Sequence, residues 1–430
     1  MTEHQTSTLD NGVRVITERM ENVRSVALGF WIATGSAMES HEQAGVSHLL
    51  EHMLFRGAGE HSSREIDEVF DGMGAEVNAG TDRETTSLYT RVLDRHSERA
   101  LRVMGEMIWQ PRFEDLAAER EVVLEEIAMY EDDPQDRVFD ALGEAVFGEH
   151  PLGRAVIGRA EVVRGVELAG LRDFHRERYR PERVVVAAAG SVEHDHLVAM
   201  VREACAGVAV SASKEQPPAD PGEGGGDVHF ERRVRFLRKD TEQYHVCLGG
   251  PGIARHDERR FALRVLEGVL GGTSSSRLFQ EVRERRGLAY SVFSFSNLHA
   301  HTGEVGLYVG TRPDNLVEAM ATIAAELQRF VEEPASAREL DRSRENVKGR
   351  MALSLESTAG RMSRLGASLL AEMPILSVDE IVDRLDAVAL GDLRELAGEL
   401  FPRERLSVAG VGAQESLFEQ SLQTLMPVAS

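Results

Sequence analysis

At 430 residues, with 42% apolar and 28% charged side chains, the chain has room for two or three domains and the composition of an ordinary globular protein. Its formal net charge of −23 excludes the basic footprint of a nucleic-acid binder and suits cationic ligands instead. No run of eighteen uncharged apolar residues occurs, so no membrane span is expected.

The opening residues 1–10 lack both the basic start and the apolar core of a signal peptide, and they are not Arg-rich like a transit peptide. The two cysteines, Cys205 and Cys247, stand in no C-x-x-C spacing and point to a reducing compartment. A cytoplasmic location is the expectation. Residues 12–17 and 25–33 alternate or run apolar as strands do. Residues 46–55 contain neither Gly nor Pro and predict a helix. Within it, His48, Glu51 and His52 in H-L-L-E-H share one face, because residues three and four apart stack on a helix. Two neutral nitrogen ligands beside a carboxylate base are what a hydrolytic zinc site requires, and the order H-x-x-E-H is the inverzincin motif. A histidine on a half-buried helix is more often structural, so a third ligand is needed to decide.

Residues 74–78 read as a strand, with Ala75, Val77 and Asn78 as candidates to bind an extended peptide through main-chain hydrogen bonds at a sheet edge. Residues 113–130 again lack Gly and Pro and are rich in helix formers. A period near 100° places Glu119, Val122, Val123, Glu126 and Tyr130 on one stripe, with Glu121 and Glu125 opposite. A carboxylate on an apolar stripe is costly unless it is paired or binds metal. Glu126 is therefore the candidate third ligand for one Zn2+ per chain, with Glu119 orienting an imidazole from behind. Pairing of these glutamates with Arg83 or Arg91 is the alternative. The acidic run Glu131, Asp132, Asp133 and Asp136 that follows reads either as a solvated helix end or as a lure for basic peptides.

A buried strand is expected at 184–189. Residues 211–226 are too rich in Pro and Gly for a packed element and divide the chain into a metal-bearing domain, 1–210, a linker, 211–230, and a second domain, 231–430. The second half has strands at 244–249 and 406–411. It echoes the first: Gly74 to Val77 and Leu88-Tyr89 find counterparts in Gly287 to Tyr290 and Leu307-Tyr308. The fold class expected is α+β: two α/β domains from an internal duplication, each a mostly antiparallel sheet packed with helices. Between His256 and His299 the second half has no histidine, so only the first half keeps the metal ligands. Residues 271–290 read as a Gly/Ser loop, a basic helix and a strand, with no fingerprint of a phosphate-cradling loop.

H-x-x-E-H followed downstream by Glu126 in E-R-E-V-V-L-E-E-I-A-M-Y resembles the pitrilysin/insulinase family of zinc peptidases, most closely its short-chain branch that includes the mitochondrial processing peptidase. The similarity extends through residues 74–79, Asp133-Pro134 and residues 150–153 into the second half. It implies His48, His52 and Glu126 as zinc ligands, Glu51 as general base and Glu119 as the supporting acid. It also implies that Arg283 and Tyr290, seven residues apart, hold the substrate carbonyl. Longer relatives close a clamshell from four such domains, so this chain is expected to form half of one and to act as a homodimer. In that homodimer Arg283 and Tyr290 reach the partner's zinc site in trans. The resemblance leaves two rivals: a non-catalytic structural or assembly subunit of the same fold, and a peptidase subunit that needs a different partner.

Overall fold

The computed structural model describes residues 4–208 and 228–425. The linker expected at 211–230 therefore lies, but for its last three residues, outside the described residues. Two sheets organise the rest. The first runs β1-β2-β6-β3-β5-β4, built from β1 (His4–Thr8), β2 (Arg14–Arg19), β3 (Ser25–Ile32), β4 (Val77–Thr81), β5 (Thr86–Leu93) and β6 (Val184–Gly190). Only β2 and β6 are parallel; the other pairings are antiparallel. The second sheet runs β7-β11-β8-β10-β9, from β7 (Val234–Arg238), β8 (Tyr244–Gly252), β9 (Ala289–Leu298), β10 (Gly303–Thr311) and β11 (Ser407–Gly412). This is the α+β duplication expected.

The echo between the halves has a structural basis. Gly74 (φ +64°) ends a helix in the left-handed conformation, and Gly287 also takes a positive φ (+62°) ahead of β9. The strand that follows each glycine is an edge strand, and it pairs with the strand carrying Leu88-Tyr89 or Leu307-Tyr308. Glycine fits both sites because a Cβ disfavours positive φ.

Five helices follow the first strands: α1 (Val46–Met53), α2 (Ser63–Met73), α3 (Ser97–Trp109), α4 (Leu116–Asp132) and α5 (Pro134–Phe147). α1 places Leu49, Leu50 and Met53 in the first core with Phe30, Phe70 and Met104, and none of the three is exposed. Each such side chain contributes roughly 2 kcal/mol. That inward face turns His48, Glu51 and His52 to the opposite one.

The units are not contiguous halves. Unit 1 comprises Met1–Ile127, Arg154–Gly225 and Ala352–Ser377; unit 2 comprises Ala128–Gly153, Gly226–Met351 and Val378–Ser430. The physical cause is that β2, β3 and β6 are apolar on both faces. One face rests on the main core; the other, with Ile16, Ala27, Val185, Ala187 and Ala189, is covered by Met362 and Leu365 of the helix Thr358–Leu370. In unit 2, α5 lies against β11 and β8. Asp133 starts α5 by accepting from the backbone N–H of Gln135 at 2.7 Å and of Asp136 at 3.2 Å, and Pro134 opens the first turn where its missing N–H costs nothing.

Candidate metal centre

The start of α1 is held by a buried acid. Glu39, 4% exposed, accepts from the backbone N–H of Gly45 at 2.9 Å and of Ser47 at 2.6 Å. It thereby satisfies donors that a helix N-terminus leaves unpaired. Burial pushes the Glu39 carboxyl up to about 7, with the two backbone donors pulling the other way.

One turn further on, the three predicted ligands meet. His48 Nε2 lies 3.6 Å from Glu126 Oε2, and His52 Nε2 lies 3.3 Å from the same oxygen. The candidate ligand atoms of His48, His52 and Glu126 all fall within 4.8 Å of one another. With zinc–nitrogen bonds near 2.0–2.1 Å, tetrahedral ligands stand about 3.4 Å apart, so the spacing suits one small divalent ion. The protonation states agree with this. Burial, and next the neighbouring His52, lower His48 to about 4, which leaves its imidazole neutral and able to ligate at pH 7. His48 Nδ1 is buried with no hydrogen-bond partner among the described residues.

His52 is better supported. Its Nδ1 meets Glu119 Oε1 at 2.8 Å, which directs Nε2 toward Glu126. Glu119 is 4% exposed and also pairs with the Arg56 guanidinium. Glu119 thus touches both the His52 ring and an arginine, Arg56 rather than Arg83 or Arg91. Arg56 lies four residues beyond His52, a spacing that could have exposed it. Glu51 projects beside the cluster and accepts from Thr81 Oγ1 at 2.6 Å. Burial raises the Glu51 pKa, and the Thr81 hydrogen bond opposes the rise. A carboxylate in this position can accept a proton from water.

Thr81 and Glu39 were not anticipated from the sequence. Thr81 sits at the end of β4, three residues after Asn78, so the edge strand reaches Glu51 through it. Val77 and Asn78 lie in β4, the sheet edge; Ala75 precedes the strand and packs partly against the core. The stripe read on α4 is displaced. Glu119, Val123 and Ile127 are its buried residues, whereas Val122 and Tyr130 are exposed. A helix touching its neighbours along a single row buries only every fourth residue.

Arg283 and Tyr290 belong to unit 2. The expected basic helix is a π-helical turn, Phe279–Glu284, a form often found where function displaces a side chain. The Arg283 guanidinium lies over the rings of Phe279 (4.7 Å) and Tyr290 (4.5 Å) and donates to the Tyr290 carbonyl at 3.0 Å. Tyr290 is 77% exposed.

Two imidazoles and a carboxylate close enough to share one ion, with a further carboxylate beside them, are the donor set of a metal site. Comparison with known proteins gives the family. Residues 14–160 match the profile of the family described as insulinase (peptidase family M16), and residues 166–347 match that described as peptidase M16 inactive domain. An uncharacterized zinc protease of Streptomyces coelicolor is 40% identical over 94% of this chain and 89% of its own length. The uncharacterized zinc protease YmxG of Bacillus subtilis is 41% identical over 92% of this chain and 95% of its own. Among solved structures, a protease from Helicobacter pylori superposes with a TM-score of 0.88 at 20% identity, covering 96% of this chain and 99% of that one. The chain belongs to the insulinase family, peptidase family M16. Among the described residues no helix is long and apolar enough to cross a membrane.

Proposed function

We propose that the chain is a zinc-dependent metalloendopeptidase that cleaves unfolded peptides, basic presequence-like segments among them, in the cytoplasm. The observation that carries this reading is the convergence of His48, His52 and Glu126 beside a base, Glu51, that already holds a hydrogen bond from the edge strand. Zinc held by those three residues would supply an electrophile for the scissile carbonyl and acidify water in its open position. The peptide lies extended along β4, with Val77 and Asn78 offering main-chain partners. Glu51, kept in place by Thr81, takes the proton of the attacking water and passes it to the leaving amine as the C–N bond breaks. Glu119 and Arg56 hold the His52 ring so that Nε2 stays available.

Arg283 and Tyr290 complete the proposal as donors to the carbonyl oxygen as it gains charge. The Arg283 guanidinium, sandwiched between two rings, needs little reordering to do so. We assign them to the partner's site in a homodimer, because this chain carries both the ligand set and the Arg/Tyr pair.

Replacing Glu51 by Gln tests the chemistry: hydrolysis of a peptide library, read by mass spectrometry, should fall at least ~100-fold while bound zinc stays near one per chain. Undiminished cleavage would remove Glu51 as base, and a metal-free, inert wild type would favour a structural subunit. Mixing Glu51→Gln protein with Tyr290→Phe protein tests the dimer. Activity well above either variant alone is expected once subunits exchange; none, with exchange verified by fluorescence transfer, overturns action in trans.

A further inference from the structure

The element order around the metal helix recurs in unit 2. Where α1 lies between β3 and β4, the helix Arg260–Leu270 lies between β8 and β9. In each case the later strand forms the sheet edge. Glu51 accepts from Thr81 on the edge strand β4. Glu267 accepts from Ser296 Oγ on the edge strand β9 at the same 2.6 Å. Aligning these glutamates sets H-L-L-E-H against Arg264-Val-Leu-Glu267-Gly268. Arg264 takes the place of His48 and Gly268 that of His52.

The second helix corresponds as well. Ser343 and Arg350, on the helix Ala337–Ser354, stand seven apart like Glu119 and Glu126. As Glu119 reaches His52, buried Ser343 reaches the neighbourhood of Gly268: its hydroxyl donates to the Val265 carbonyl at 2.8 Å and occupies the space a Cβ on Gly268 would need. No imidazole fits at 268 without displacing Ser343. Arg350 then falls at the place of Glu126. Both remaining ligand positions carry fixed positive charge, so this counterpart site repels the cation that its twin attracts.

We propose that Arg264 and Arg350 form a carboxylate-binding site, which grips an acidic side chain or the chain terminus of a bound peptide. Both arginines are exposed, and neither makes a hydrogen bond or an ion pair within 4.0 Å among the described residues. With 72 acidic against 49 basic side chains in the chain, an arginine pair left unmatched is not for want of acids. Both arginines act on Glu267, favouring its ionised form, though burial is the stronger influence and raises its pKa. Glu267 Oε2 is already taken by the Ser296 hydroxyl. Two guanidiniums against one carboxylate leave a net positive charge and free planar donors, which match an incoming carboxylate two bonds at a time. A peptide lying along β9 would pass beside the cluster, since Ser296 belongs to that strand.

This inference rests on the peptidase reading for its ligand class, and binding to catalytically silenced protein separates the two. Labelled peptides, identical except for Glu against Gln at one position or a free against an amidated terminus, are titrated into zinc-loaded Glu51→Gln protein by fluorescence anisotropy. The carboxylate forms should bind about tenfold tighter or more. That preference should vanish in the added Arg264→Gln/Arg350→Gln double variant, whose melting temperature serves as the folding control. The Glu/Gln and the terminal arms tell the side-chain source from the terminal one. Equal affinity for carboxylate and amide, or a preference that survives the double variant, overturns the site. Where wild type hydrolyses these peptides nonetheless, only the site falls; where nothing binds and nothing is cleaved, the peptidase reading falls with it.

Discussion

Glu39 shows how much a single buried carboxylate can govern. Its pKa, raised to about 7, means the native state binds the proton more tightly than the unfolded chain, whose value is 4.5. The stability it contributes is complete below about 4.5 and is lost as pH rises through 7, a change of about 3 kcal/mol. Urea unfolding of chelated wild type and Glu39→Gln across this window should show the wild type losing ground to the variant as pH rises. A difference that stays flat with pH would place the titration elsewhere. Glu119 bears on the proposed metal site instead. Its replacement by Ala should weaken zinc 10- to 100-fold in competition with a chromogenic chelator, because His52 loses the partner that fixes its ring. An unchanged affinity would mean that Glu119 serves only Arg56. The common face of His48, Glu51 and His52 was legible in the sequence because helical spacing converts directly into it. Glu39 and Thr81 were not, because they reach the site across turns whose path no local pattern specifies.

At the scale of elements, α1 is clamped at its first turn by backbone on backbone. Gly158 (φ +81°) lies so close to Gly45 (φ +105°) that a Cβ on Gly158 would collide with main chain, 2.2 Å from the Gly45 Cα. Gly74 (φ +64°) also has a positive φ but has nothing within 4 Å of its would-be Cβ. The two separate strain from collision: Gly74→Ala should cost about 1 kcal/mol, and Gly158→Ala about 2 kcal/mol or more, with looser zinc binding as a by-product. Equal losses in urea titrations would show that the loop gives way freely. α1 was readable from the sequence to within two residues at its end, since apolar inner positions and the absence of Gly and Pro specify it. The π turn at Phe279–Glu284 was not: its sequence reads as an ordinary helix, and no local pattern records the two rings and the carbonyl that the Arg283 guanidinium meets.

For the molecule as a whole, the duplication was visible in repeated glycine-to-strand patterns, yet the membership of the units was not. Strand β6 (VVVAAAG) is buried along its entire length, which says that both faces are covered but not which helix covers the second. That helix comes from a stretch more than 160 residues downstream of β6 in the chain. Hydropathy records the need for a partner and not its address.

That arrangement bears on how the protein is made. A ribosome releases the chain from its N-terminus, so the unit that carries His48, His52 and Glu126 stays without its outer helix until residues 352–377 have emerged. Until then Ile16, Ala27, Val185, Ala187 and Ala189 face water on a sheet whose strands are already synthesised. Nascent chains of this protein should therefore engage a holding chaperone late into elongation, and a gene cut at the midpoint should yield an insoluble first product.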